Sequence, residues 1–180
     1  MKKKSWVNDN KKEKQKYKSL CESLRFQTAW RAKTLYPAMN GGAAERMEQE
    51  LAWIERNGLV TGFLQLKEIM DMAYSHLNMT IGSGRGFLGG SIVAYCLGLT
   101  AEDPIAAGRF STEFREADYT PCLNVSIYFD PEKRNEAVAL AETKFSKAMM
   151  RAGLPIIKLD KVILEFRRNL SSQPTDTNNA

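Results

Sequence analysis

The chain has 180 residues, of which 43% are hydrophobic, and a formal net charge of +5, enough for one domain with its own core. It contains no run of the roughly 18 apolar residues that a membrane-spanning helix needs, so no membrane span is expected in it. The charge is uneven: residues 1–18 carry eight lysines against Asp9 and Glu13, a net +6 that leaves the rest of the chain at −1, so the basic character lies in a leading segment suited to phosphate contacts without sequence preference or to a solvated tail.

In chain order, the leading segment lacks the apolar stretch of a secretory signal. Cys21, Cys96 and Cys122 are scattered without C-x-x-C spacing and read as buried thiols of a cytoplasmic protein. The apolar periodicity predicts a helix over 14–36, with Leu20, Leu24 and Ala32 facing inward, broken by Pro37 and Gly41-Gly42. A second helix is expected over 44–57 with Met47, Leu51 and Ile54 as its stripe, and a third over 63–77 with Phe63, Leu66, Met70 and Ala73 on one face. His76 at the end of the third suits the helix dipole rather than chemistry. A short strand over 79–81, a glycine loop and a buried helix over 91–97 ended by Gly98 follow.

Residues 122–129 alternate: Leu123, Val125, Ile127 and Phe129 form an apolar face, and Cys122, Asn124, Ser126 and Tyr128 the other. Asp130-Pro131-Glu132 predicts a helix start, with the helix running to 152 and Gly153 after it. Residues 155–166 read as a second strand, and 171–180 have a disordered composition. The fold expected is α+β, a small mixed sheet with helices packed on it. The domain reading is a basic flexible tail over 1–18, one domain over 19–168 and a disordered tail over 169–180. Trp6, Trp30 and Trp53 read as packing residues, with Trp6, in the basic segment, left open as a base-stacking residue.

The stretch with the most chemistry is IGSGRGFLGGSIVAYCLGLTAEDP, Ile81 to Pro104. Strand, glycine loop and helix in that order make a phosphate cradle. Gly82, Ser83, Gly84, Gly86 and Gly90 bring backbone N–H groups close to an anion, Arg85 adds a bidentate grip, and Ser91 caps the helix. A tight strand-to-helix connection is the plainer reading of the same residues. There is no G-K-[S/T], so this is not a Walker loop.

This stretch resembles the GxGRGSxxGSxVxYxLGIT-x-x-DP segment of the bacterial DNA polymerase III alpha subunit, the C-family replicative polymerase. ERMEQELAWIERNGLVTGFLQL (45–66), FDPEKRNEAV (129–138) and IIKLDKVIL (156–164) are similar to further segments of that family in its order. The resemblance implies a palm domain of polymerase-beta-like nucleotidyltransferase fold, with the thumb reduced to one helix and the other parts absent. The family's catalytic strand holds its metals with aspartates in P-D-x-D-x-D-F. Anchored on Phe129, those positions fall on Asn124, Ser126 and Tyr128, none a carboxylate. Asp160 matches the family's remaining catalytic aspartate, and Phe87 replaces a serine of the loop.

The resemblance therefore implies a degenerate palm, a pseudoenzyme that binds DNA or dNTP phosphates in a replication-associated role in the cytoplasm, with a replication protein as a possible partner and no cofactor. The alternatives are a minimal magnesium-dependent nucleotidyltransferase using Asp160 and a second carboxylate, for which Asp118 is the nearest source, and a protein-interaction module shaped like a palm.

Overall fold

The computed structural model describes residues 3–111, 114 and 121–170. Three helices open the chain: α1 (Lys3–Leu35), α2 (Gly41–Arg56) and α3 (Val60–Leu77). α1 begins at Lys3, well before the expected start, and takes in most of the lysine-rich segment. The anticipated stripes face inward, with Leu24, Ala32, Leu51, Ile54, Phe63, Leu66, Met70 and Ala73 all buried. Asn40 caps α2 by accepting the Ala43 N–H at 2.8 Å.

Two short helices, α4 (Gly86–Gly89) and α5 (Ile92–Cys96), precede β1 (Leu123–Phe129). The expected strand over 79–81 is a single bridge, Ile81 to Phe129. After β1 come α6 (Arg134–Glu142), β2 (Met149–Arg151), β3 (Leu154–Leu159) and β4 (Val162–Arg168). The four strands form one mixed sheet in the order β1-β4-β3-β2, with β1 parallel to β4 and the other neighbours antiparallel.

Two sequence expectations change here. The helix over 130–152 is much shorter, because residues 149–151 pair with β3 instead. Ala152 (φ 49°) and Gly153 (φ 76°) form the two-residue turn of that hairpin, the conformation that tight hairpins favour. The single strand over 155–166 is likewise a hairpin, β3 and β4, turning at Asp160-Lys161 with Asp160 at φ 51°. Aspartate is among the few side chains that tolerate this region.

One face of the sheet carries Leu123, Val125, Ile127, Phe129, Leu164 and Phe166, all buried. The Phe129 and Phe166 rings stack there at 5.1 Å. α3, α4 and α6 pack on the sheet, and α1, α2 and α5 complete the helical side. The alternation of β1 is as its sequence predicts, so Asn124, Ser126 and Tyr128 lie on the opposite face. Among the described residues no helix is long and apolar enough to cross a membrane. The 171–180 segment and Asp118 lie outside the described residues, and nothing is described of the Trp6 side chain.

Candidate functional site

The glycine loop is anchored at both ends. Gly82 donates its N–H to the Tyr128 carbonyl at 2.7 Å, and Gly84 donates to Thr100 Oγ1 at 2.7 Å. The Gly90 N–H reaches the Phe87 carbonyl at 3.2 Å and the Ser91 N–H the Leu88 carbonyl at 3.3 Å. Three of the five backbone donors assigned to a phosphate cradle, Gly82, Gly84 and Gly90, are thus already engaged inside the protein. Phe87 explains part of this compactness. It is buried against Trp53 (5.5 Å), Phe63 (6.0 Å) and Phe114 (4.8 Å) between ring centroids.

α2 holds the far end of the loop through two charged side chains that the sequence reading missed. Glu50, 1% exposed, accepts from Ser91 Oγ at 2.7 Å, from the Val93 N–H at 3.1 Å and from Arg46 Nε at 3.1 Å. Arg46 also donates to the Gly90 carbonyl at 2.7 Å. Ser91 Oγ in turn accepts the Ala94 N–H at 3.0 Å and so caps α5. Burial pushes the Glu50 carboxyl above the usual glutamate range, and the hydrogen bonds from Val93, Ser91 and Arg46 oppose that rise.

The fixed loop presents Arg85 to the open side. Its guanidinium lies over the Tyr128 ring, 5.6 Å from the centroid. Arg85 and Tyr128 line a groove of about 540 Å³ with Arg134, Arg167, Arg168 and Asn169. These residues come from the loop, the start of α6 and the ends of β1 and β4. Burial lowers the pKa of Arg134, and the nearby charge of Arg168 lowers it further. Guanidinium groups gathered in this way can pair with the oxygens of a polyanion. Arg85 also lines a neighbouring hollow of about 450 Å³ with Arg109 and Phe110.

On the open sheet face, Ser126 stands opposite Glu165 in the β1–β4 register. Ser126 donates to Glu165 at 2.8 Å, Arg167 donates to it at 2.8 Å through Nη2, and Arg151 at 2.6 Å. Arg151 also donates to Asn124 Oδ1 at 3.0 Å. Burial tends to raise the Glu165 pKa, yet the hydrogen bonds from Arg167, Ser126 and Arg151 hold it below the usual range. Asp160 is not part of this group. The register pairs Leu123 with Val162 and Phe129 with Arg168, so the 160–161 turn sits at the opposite end of the sheet from the glycine loop.

Two-cation phosphoryl transfer needs several anionic oxygens around the metals. Among the described residues, the carboxylate paired with this face is Glu165, which Ser126 and two guanidinium groups already hold. Magnesium does not fit this donor set. Among the described residues, no group of three His, Cys, Asp or Glu side chains is placed to hold a metal ion.

A family profile described as the bacterial DNA polymerase III alpha NTPase domain matches residues 22–164. The chain is 35% identical over 104 residues to the DNA polymerase III subunit alpha of Mycobacterium tuberculosis, an overlap of 58% of this chain and 9% of that protein. It is 30% identical over 101 residues to the same subunit of Aquifex aeolicus, 56% of this chain and 9% of that one. An error-prone DNA polymerase of Bordetella parapertussis matches at 28% over 135 residues, 74% of this chain and 12% of that protein. The chain thus spans about a tenth of the length of these relatives.

Proposed function

The chain belongs to the bacterial DNA polymerase III alpha family, and we propose that it is a polymerase-beta-like palm that has exchanged metal-assisted catalysis for arginine-mediated binding of nucleotide or DNA phosphates. The observation that carries this reading is the pairing of the degenerate strand with Glu165, Arg151 and Arg167, beside a groove lined by Arg85, Arg134, Arg167 and Arg168. Catalysis on this face would need carboxylates free to face cations. Guanidinium groups serve the other role, since they neutralise and orient phosphate oxygens directly. The domain that carries this would extend over about residues 19–168, in a cytoplasmic, DNA-associated setting.

The glycine loop acts in this reading as a mount for Arg85 rather than as a cradle of amides. Arg85→Ala and Arg168→Ala are each expected to weaken dNTP binding about tenfold, the scale of losing one charge-assisted hydrogen-bonding group. Titration calorimetry checks this. Arg168 is exposed, so its loss leaves the fold in place. Wild-type affinity in both variants would refute the arginine groove.

A further inference from the structure

α1 carries a feature that the groove does not use. Phe26 and Trp30, one turn apart, are 66% and 63% exposed. Their rings stack with centroids 6.2 Å apart and planes 28° apart. The packing role assigned to Trp30 from sequence is therefore wrong, whereas Trp53 does pack and is 2% exposed. Helical spacing places Lys12, Gln15 and Ser19 on the same face before the pair and Lys33 after it, all of them exposed. Glu22, one turn before Phe26 on this face, pairs with Lys18, 3.9 Å away, which offsets its charge.

We propose that this face of α1 is a binding surface for single-stranded nucleic acid, with bases stacking on Phe26 and Trp30 and phosphates meeting the flanking lysines. Charge decides the occupant. A helix–helix seam with a second copy or another protein would continue the apolar stripe through the preceding turns. Those turns carry Glu22, Ser19, Gln15 and Lys12 instead. Exposed aromatic rings set in a basic, hydrogen-bonding strip are what an unpaired strand requires, because every base offers a flat apolar face and every linkage a negative charge. A duplex hides its base faces and gains only the lysine contacts.

α1 is fixed at its middle and just past its end. Tyr17 hydrogen bonds the Glu55 carbonyl at 2.8 Å, and Tyr36 reaches Asp103, close to the glycine loop, at 2.6 Å. The surface is distinct from the arginine groove and stands or falls separately from it.

The test is fluorescence anisotropy of a labelled oligothymidine and of a duplex of equal length, with the full chain. Trp30→Ala and Phe26→Ala are each expected to weaken single-strand binding about tenfold, the loss of one stacking platform. Trp30→Phe should recover most of that loss. Duplex binding and dNTP binding should stay at wild-type levels in all three variants. Unchanged single-strand affinity in the alanine variants would overturn the proposal. So would an equal loss for duplex, or a dimer in sedimentation that Trp30→Ala dissociates without affecting single-strand binding.

Discussion

Glu50→Ala is expected to destabilise the fold by about 3–5 kcal/mol, the usual cost of removing one partner of a buried charged pair. The variant leaves the Ser91 hydroxyl, the Val93 N–H and the Arg46 guanidinium without their common acceptor. All three lie in a part of the protein that water does not reach easily, with Ser91 and Val93 themselves buried. Urea unfolding followed by circular dichroism should show a lower midpoint with an unchanged slope. Glu50→Gln keeps an acceptor and should fall between the two. A loss below about 1 kcal/mol for Glu50→Ala, the range of an exposed pair, would show that the carboxylate is not holding the loop.

The pH dependence follows from the raised Glu50 pKa. A carboxyl that binds its proton more tightly in the folded state favours folding when protonated. That contribution is complete below the ordinary glutamate pKa and is lost as the pH rises through the folded value. The stability advantage of the natural chain over Glu50→Gln should therefore shrink as the pH rises from about 4.3, the ordinary glutamate value.

Gly89→Ala is the second large effect. A Cβ at that position would lie 2.3 Å from the Gly84 carbonyl oxygen and 2.7 Å from its carbon. Both are backbone atoms, so no rotamer change relieves the overlap, and α4 and the loop must separate. The expected cost is about 1–3 kcal/mol, as for other overpacked sites. The separation also moves Arg85, which lies between the two glycines in sequence. Thermal unfolding should show the lower stability and calorimetry a weaker dNTP affinity. An unaltered melting temperature would mean that the loop is not packed as described.

The half-buried alternation of 123–129 was legible because a strand with one wet face writes its register directly into its sequence. The stripes of α2 and α3 were legible for the same reason at helical period. Gly153 was harder. A helix end and a tight hairpin both call for positive φ, so the glycine itself does not distinguish them. The Glu165–Ser126 pairing depends on a parallel register between β1 and β4, which no local pattern carries. Arg134, Arg167 and Arg168 are ordinary surface arginines until that register brings them together with Arg85. Glu50 did leave a signal: it falls on the same stripe as Ala43, Met47 and Ile54, and Arg46 stands four residues before it. A carboxylate in an apolar stripe needs partners, and these were Ser91, Val93 and Arg46. Trp30 was misjudged because burial along α1 depends on which of its faces α3 and α5 cover, and no local pattern carries that.

Phosphate held by guanidinium groups in place of metal ions needs no cation to bind. Titration of a dNTP into the protein, once with a chelator and once with magnesium, tests it most directly. The nucleotide should bind in the chelator, and more weakly with magnesium because the cation neutralises the triphosphate that the arginines attract. Binding that appears with magnesium and vanishes in the chelator would contradict it and return the strand face to a metal centre.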